Sequence, residues 1–227
     1  MRILTKIFGN KKVVNSEDSL KELSDEEFES AKFKARIALI DDEELPHVSR
    51  LQKDGYSITH YHDIENIDDL VRKKYHLIVL DIQGVGAKLS NEEGWGVLRY
   101  LKNEYPHILI IVFTGADWSI TKYKDKADLA DIFIGKDVDF LDFKSKIDAG
   151  IRKVFSPNFH FEITKNRLLK SVSGADSMEK IKKLVFAYGA NKTKAMDEIK
   201  KVPNIKDSIG VVDDFLSIIE TTIGLLK

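Results

Sequence analysis

The sequence feature that most constrains the fold is the segment 76–81, His-Leu-Ile-Val-Leu-Asp. Its four apolar residues follow one another without alternation, which predicts a strand covered on both faces, as in a parallel sheet between two layers of helices. In such sheets ligands bind at the carboxyl ends of the strands, so Asp81 falls where functional groups are often found. A single acid at a strand end is equally typical of a cap or a turn, so the assignment depends on the other strands.

The composition is that of an ordinary globular protein. The 227 residues suffice for one main core with extensions, and the net charge of -1 gives no global attraction for nucleic acid. The lack of cysteine excludes disulfides and thiolate metal sites and fits a reducing compartment, so we expect a cytoplasmic protein. No apolar stretch approaches the roughly 20 residues of a membrane span, and none is expected.

Strand and helix patterns alternate between residues 35 and 155. Such alternation predicts an α/β fold with a doubly wound, five-stranded parallel sheet. The strands are predicted near 37–40, 55–61, 76–81, 108–113 and 131–135, and the helices near 45–51, 67–71, 95–101, 118–129 and 140–154.

The two ends of the chain have different patterns. Ser24 to Glu27 have the spacing of a capping box, which predicts a short helix to about Lys34 with Phe28 and Ala31 on its buried side. Pro157 closely follows the last helix of the sheet domain and predicts a boundary, with a short irregular segment and then further helices near 178–188, 193–202 and 206–226. The predicted division is an N-terminal helical extension (1–34), a sheet domain (35–155) and an all-helical C-terminal module (156–227).

Chemically suggestive side chains follow four of the predicted strands. Asp41 and Asp42 follow the first strand, Asp81 the third, Thr114 the fourth and Lys136 the fifth. Because the carboxyl ends of parallel strands meet at one edge, we expect these groups to lie together. Carboxylates brought within a few ångströms repel one another and need a cation. Oxygen ligands suit Mg²⁺, while a lysine would supply a point charge for a phosphate.

Four motifs at these strand ends carry a family resemblance. They read Ile40-Asp41-Asp42-Glu43, Ile78-Val79-Leu80-Asp81, Val112-Phe113-Thr114-Gly115 and Phe133-Ile134-Gly135-Lys136. In order and approximate spacing they resemble the receiver domain of two-component response regulators, over residues 35–155 or about half of the chain. The resemblance implies a flavodoxin-like receiver fold and a phosphorylation-operated signal receiver that is not an enzyme, apart from slow loss of its own phosphoryl group.

The resemblance also implies an acceptor and its metal ligands. Asp81 would accept a phosphoryl group from the phosphohistidine of a histidine kinase or a phosphotransfer protein. Asp42 would bind Mg²⁺ directly, Asp41 mainly through water, and the Gln83 backbone carbonyl would complete the protein ligands.

The remaining implied roles concern the switch. Thr114 and Lys136 would hold the phosphoryl oxygens, and Phe133 would turn inward as Thr114 moves toward the phosphate. Physical arguments support these roles. Phosphoryl transfer depends on positioning and charge neutralisation, and a new phosphoryl group attracts a nearby hydroxyl.

Two features depart from the family pattern. The family usually has proline after the lysine, whereas this chain has Asp137, which we interpret as the N-cap of the last helix of the sheet domain. The segment 82–93 precedes Gly94, the predicted helix-starting glycine, and is longer than usual by roughly five residues. Such an insertion costs little stability, because the entropic cost of closing a loop grows only slowly with its length.

An alternative enzyme function starts from the same strand. Residues 80–85, Leu-Asp-Ile-Gln-Gly-Val, also resemble the nucleophile loop of haloacid-dehalogenase-type phosphatases. Gln83 stands where those enzymes use a second aspartate as general acid and base, and an amide cannot transfer that proton. The acidic pair also precedes the nucleophile strand instead of following it.

The C-terminal module leaves two kinds of output open. Residues 189–196 faintly resemble the turn of Fis-type helix-turn-helix domains, which would make the chain a DNA-binding response regulator. Acidic residues in the last helix disfavour binding to a phosphate backbone, and its apolar residues favour a packing or homodimer surface and an output through protein interaction. The acids are Asp213, Asp214 and Glu220, and the apolar residues are Val211, Phe215, Ile218, Ile219 and Ile223.

Three histidines lie on or beside predicted strands. His60, His62 and His76 show no joint metal-binding pattern in the sequence, so we interpret them as surface or strand residues.

Overall fold

The computed structural model describes residues 23–115, 126, 128–169, 175–188, 191–203, 205 and 209–224. Most of the helix predicted near 118–129 and most of the N-terminal extension lie outside these residues. The strands are β1 (Arg36–Ile40), β2 (Ser57–Tyr61), β3 (Leu77–Leu80), β4 (Leu109–Thr114) and β5 (Ile132–Gly135). The helices are α1 (Asp25–Lys34), α2 (Pro46–Lys53), α3 (Ile67–Arg72), α4 (Gly94–Glu104), α5 (Phe140–Val154), α6 (Pro157–Leu169), α7 (Ala175–Tyr188), α8 (Lys192–Ile199) and α9 (Ile209–Gly224).

The five strands form one parallel sheet in the order β2-β1-β3-β4-β5. This is the flavodoxin-like order, and it confirms the predicted fold class. In the register of the sheet Ile40 lies beside Leu80, and Thr114 lies beside Gly135. The residues that follow β1, β3 and β5 therefore reach the same edge of the sheet.

Strand β3 is buried on both faces, as its sequence predicts. Leu77 and Val79 belong to the apolar cluster that includes α5, whereas Ile78 and Leu80 belong to the cluster that includes α4. All four side chains are fully buried, and each contributes about 1.5–3 kcal/mol through the removal of apolar surface from water. This packing fixes the position of the next residue, Asp81.

Helix α1 packs on the sheet domain. Its predicted capping box is confirmed, with Ser24 N donating to Glu27 Oε2 at 2.9 Å and Glu27 N donating to Ser24 Oγ at 3.2 Å. Phe28 and Ala31 are buried in the same cluster as β1 and β3. The described part of the N-terminal extension thus contributes to the core beneath the sheet.

The C-terminal helices enclose a separate apolar cluster. The prediction of an irregular segment after Pro157 was wrong, because α6 begins at this proline; proline fits the first turn of a helix, where its missing N–H needs no partner. Phe159 on α6 packs toward the sheet domain, whereas Phe161 packs within the C-terminal cluster. Phe215 and Ile219 of α9 are buried in that cluster, so this face of α9 serves internal packing.

The exact domain boundaries remain predictions. Across the described ranges, no helix combines the length and the apolar character that a membrane crossing needs.

Candidate functional site

Asp81 lies directly after β3, and only 2% of its surface is exposed. Its Oδ1 accepts hydrogen bonds from the backbone N–H of Ile82 at 2.6 Å and of Gln83 at 3.3 Å. Its Oδ2 accepts a hydrogen bond from Lys136 Nζ at 2.7 Å. Backbone N–H groups thus hold one carboxylate oxygen, and the lysine side chain from the end of β5 holds the other.

Lys136 connects the carboxylates of two strand ends. Besides Asp81, its Nζ lies 3.1 Å from Asp41 Oδ1 and 3.0 Å from Asp41 Oδ2, with Glu43 Oε2 at 3.6 Å. The Lys136 backbone N–H donates to the Thr114 carbonyl at 3.1 Å. This backbone contact and the two aspartates hold the lysine without the proline that the family usually places after it.

Burial and charge act against each other in this cluster. Burial raises the pKa of Asp81, and the hydrogen bond and charge of Lys136 oppose this, so that the pKa remains above its usual range. Burial lowers the pKa of Lys136, but its hydrogen bonds to Asp81 and Asp41 outweigh this and raise the pKa above its usual range. The lysine is therefore held in its charged form between two acids.

The three predicted acidic ligands come together. Asp41, Asp42 and Asp81 each offer a carboxylate oxygen, and these oxygens lie within 4.8 Å of one another. Asp41 is fully buried. Its Oδ2 is close to the lysine but has no hydrogen-bond partner among the described residues. A buried carboxylate oxygen with spare coordination in an all-oxygen set fits Mg²⁺. The role of the Gln83 carbonyl stays a prediction.

Two glycines let the backbone approach the acids. Gly84 has a φ of +76°, and a Cβ there would lie 2.5 Å from Asp42 Oδ2. Gly94 begins α4, as predicted, and a Cβ there would collide with the Asp81 carbonyl oxygen and lie 2.7 Å from Ile82 Cα. Only glycine fits these close approaches without a shift of the backbone or of the acid.

The long segment 82–93 is anchored to its surroundings. The Gly84 N–H donates to Glu93 Oε2 at 3.1 Å, and the Gly86 N–H donates to Asp63 Oδ1 at 2.6 Å. Val85 is fully buried in the apolar cluster beside α4. Glu92 pairs with Lys126 at 2.6 Å. These contacts fix the conformation of the loop that carries the extra residues beside Asp81.

The predicted switch residues lie on neighbouring strands. Thr114 is buried at the end of β4, and Phe133 on β5 is half-buried. The centroid of the Phe133 ring lies 6.4 Å from that of Trp95 on α4. The helical spacing of Trp95 marks it only as a core residue, so its place beside Phe133 could not be predicted from the sequence.

The prediction that Asp137 caps α5 was wrong. The cap is Asp139, whose Oδ1 accepts the backbone N–H of Asp142 at 2.9 Å. The Val138 N–H contacts the Gly135 carbonyl at 3.4 Å, which forms a turn between β5 and the helix. This turn delays the start of α5 to Phe140.

The histidines differ from one another in their surroundings. The interpretation of His76 as a strand residue fits its place at the start of β3, where its Nδ1 accepts the Arg36 N–H at 3.0 Å. In contrast, His60 and His62 lie together beside Glu44, a grouping that their interpretation as separate residues missed.

The order of the five parallel strands is that of the flavodoxin-like fold. Over about half of its length the chain is similar to solved receiver structures. One is the receiver domain of NtrX from Brucella abortus, with 20% identity over 51% of this chain and 97% of that chain and a TM-score of 0.43. Another is a CheY-like receiver domain protein from Methanospirillum hungatei, with 21% identity over 53% and 95% and a TM-score of 0.44.

A third similar structure is the response regulator TrrA from Thermotoga maritima in complex with Mg²⁺-BeF, with 24% identity over 51% of this chain and 98% of that chain and a TM-score of 0.38. No family model matches the chain, and no curated protein matches it.

Proposed function

We propose that the chain is a phosphorylation-dependent signalling switch that accepts a phosphoryl group on Asp81. The observation that carries this proposal is the position of Lys136, whose ammonium contacts both Asp81 and Asp41 at the edge where Asp42 also lies. A carboxylate nucleophile, an acidic metal cluster, a hydroxyl and an ammonium group are the parts that phosphoryl transfer needs.

The transfer follows from the contacts of Asp81. Because two backbone N–H groups hold Oδ1, Oδ2 is the oxygen that attacks the phosphorus of a phosphohistidine on a kinase or phosphotransfer partner. The new O–P bond forms as the P–N bond breaks, and the imidazole leaves. Lys136 moves from Oδ2 to a phosphoryl oxygen, and Mg²⁺ bound by Asp41, Asp42 and Asp81 would neutralise further negative charge.

The same site disfavours a phosphatase. Rapid hydrolysis of the aspartyl phosphate needs a general base near the acceptor, and Gln83 has none in its side chain. We therefore expect the phosphoryl group to persist long enough to signal and to be lost only slowly. The chain thus acts as a signal receiver and not as an enzyme that turns over a phosphate ester.

The signal would pass through Thr114 and Phe133. A phosphoryl group on Asp81 attracts the Thr114 hydroxyl, and the space that Thr114 leaves is filled by the half-buried ring of Phe133. This changes the surface formed by β4, β5 and α4.

For the output we favour protein interaction or homodimerisation over DNA binding. Lys192, at the start of α8 in the helix-turn-helix-like segment, pairs with Asp213 of α9 at 2.9 Å and donates to Ser217 at 2.7 Å. A basic residue that a DNA-binding helix would use is thus held by an acid of its own module.

The test is phosphorylation of the full chain by acetyl phosphate in the presence of Mg²⁺, followed by intact-mass measurement. We expect one phosphoryl group per chain, absent in Asp81→Asn. The matched control is Asp69→Asn, since Asp69 is an exposed acid on α3 that pairs with Arg72. A phosphoryl group that persists in Asp81→Asn would refute the acceptor assignment.

A further inference from the structure

Two histidines and a glutamate meet beside the candidate site without sharing a residue with it. Glu44 Oε2 lies 3.7 Å from His60 Nδ1, and Glu44 Oε1 lies 3.4 Å from His62 Nε2. The centroids of the two imidazole rings are 4.7 Å apart. One ligand atom from each of the three residues lies within 4.8 Å of the other two.

The fold brings these residues together through β2 and the loop after β1. His60 lies in β2, and His62 follows the last residue of that strand. Side chains two positions apart in an extended chain point to the same side, so the two imidazoles lie on the same face of the sheet. Glu44 lies in the loop between β1 and α2 and reaches over this edge. The arrangement thus depends on a contact between segments distant in sequence.

The second ring nitrogen of His60 is already engaged. His60 Nε2 lies 2.8 Å from the carbonyl oxygen of Asp41, to which it donates, because a carbonyl only accepts. This assigns the proton to Nε2 and leaves the lone pair of Nδ1 directed toward Glu44. Histidines that bind metal ions commonly donate their other N–H to a carbonyl or carboxylate in this way, which fixes the tautomer and the ring.

We propose that Glu44, His60 and His62 form a binding site for a transition-metal ion of the Zn²⁺ class. Two imidazoles and a carboxylate are a usual ligand set for Zn²⁺ and a poor one for Mg²⁺, which prefers oxygen ligands alone. Ligands about 2.0–2.2 Å from a tetrahedral ion are separated by roughly 3.4 Å. The contacts of 3.4 and 3.7 Å are close to this separation.

The site is open on one side. Glu44 and His62 have side-chain exposures of 82% and 63%, so an ion can enter from solvent. They line a cleft of about 540 Å³ together with residues of α2, among them Ser49 and Gln52. Three protein ligands leave a fourth position that faces this cleft, where water or a small anion would complete the coordination.

This site differs from the acidic cluster in ligands and in metal preference. The two are adjacent in the chain, since Glu44 lies two residues after Asp42, and His60 Nε2 contacts the Asp41 carbonyl. The competing explanation is an ion pair between Glu44 and a protonated imidazole, which binds no metal.

The test is calorimetric titration of the full chain with Zn²⁺ in the presence of excess Mg²⁺. We expect uptake of one Zn²⁺ per chain, weakened roughly tenfold or more in His62→Ala and in Glu44→Gln. Both side chains are exposed, so the variants keep the fold, which circular dichroism checks. Glu65→Gln, at another exposed glutamate, is the matched control and should bind as the unaltered chain does.

A further variant separates the two sites. Asp42→Asn should leave Zn²⁺ uptake unchanged, because Asp42 belongs to the oxygen cluster. Failure of the full chain to take up Zn²⁺, equal uptake by His62→Ala, or loss of uptake in Asp42→Asn would each overturn the proposal. None of these results bears on phosphorylation of Asp81, which is measured separately.

Discussion

Lys136 Nζ lies 2.7 Å from Asp81 Oδ2, although 55 positions separate the two residues in the sequence. The parallel sheet creates this contact, because β3 and β5 both end at the same edge on either side of β4. The ammonium compensates the charges of two buried acids. Under the proposed function the same group would hold a phosphoryl oxygen. Stability and the proposed function therefore depend on the same side chain.

Replacement of Lys136 by methionine should destabilise the chain in the absence of Mg²⁺. The variant leaves Asp41 and Asp81 buried without their cation, and loss of one partner of a buried pair is expected to lower the free energy of unfolding by about 3 kcal/mol. Added Mg²⁺ should recover part of this loss. Urea unfolding with and without Mg²⁺ measures both effects.

The control for this variant is Lys88→Met. Lys88 pairs with Glu65 at 2.9 Å on the exposed surface, where an ion pair contributes about 1 kcal/mol or less. Equal losses in the two variants would mean that the Lys136 contacts add nothing beyond a surface pair.

Replacement of Gly94 by alanine should impair phosphorylation. The new Cβ would collide with the backbone of Asp81 and Ile82, which cannot yield as a flexible side chain can. Asp81 must shift, and we expect a slower reaction with acetyl phosphate, measured by intact mass against time. Gly210→Ala is the control, because a Cβ on Gly210 meets nothing within 4 Å. A Gly94→Ala chain that reacts at the unaltered rate would contradict the close packing around Asp81.

The free energy of unfolding should fall in mild acid because of His160. Burial lowers the pKa of His160 from 6.5 to about 4. The unfolded chain therefore takes up a proton first as the pH falls, and the stability present above pH 6.5 is lost as the pH approaches 4. The loss is about 3 kcal/mol for a fully buried imidazole.

The variant His160→Gln tests this origin of the pH dependence. It keeps a donor for the Val154 carbonyl, which His160 Nε2 contacts at 2.7 Å, and removes the titrating group. Urea unfolding at pH 7 and pH 5 should show a smaller difference in this variant. Some dependence should remain from His76, whose pKa burial also lowers to about 4. An unchanged difference would show that His160 does not contribute.

Trp95 should report on phosphorylation. Its ring lies near Phe133, so inward movement of Phe133 changes its surroundings. In a Trp118→Phe background, acetyl phosphate and Mg²⁺ should alter the tryptophan fluorescence of the chain. The Thr114→Val variant should still accept the phosphoryl group. It should lose the fluorescence change, because valine has no hydroxyl that the phosphoryl group could attract. A fluorescence change of unaltered size in Thr114→Val would show that the movement of Phe133 does not depend on the Thr114 hydroxyl.

The strand-end cluster was predictable because it depends on local patterns. Uninterrupted apolar runs located the strands, and a parallel sheet brings their ends together whatever the details of the loops. Asp41, Asp81 and Lys136 follow such runs directly, so that their meeting required only the strand order.

The features that the sequence did not predict depend on loop conformation. Glu44 reaches His60 and His62 only because the loop after β1 turns over the end of β2. Asp137 and Asp139 both have the chemistry of an N-cap, and the turn at Gly135 decides between them. The periodicity of apolar residues within one segment predicts neither the position of Glu44 nor the choice of the N-cap.

The proposed function requires that Asp81 carries the phosphoryl group. Borohydride reduction converts an aspartyl phosphate to homoserine, which peptide mass spectrometry locates in the sequence. After treatment of the full chain with acetyl phosphate and Mg²⁺, we expect homoserine at position 81 and at no other aspartate. Homoserine at another position, with residue 81 unchanged, would contradict it.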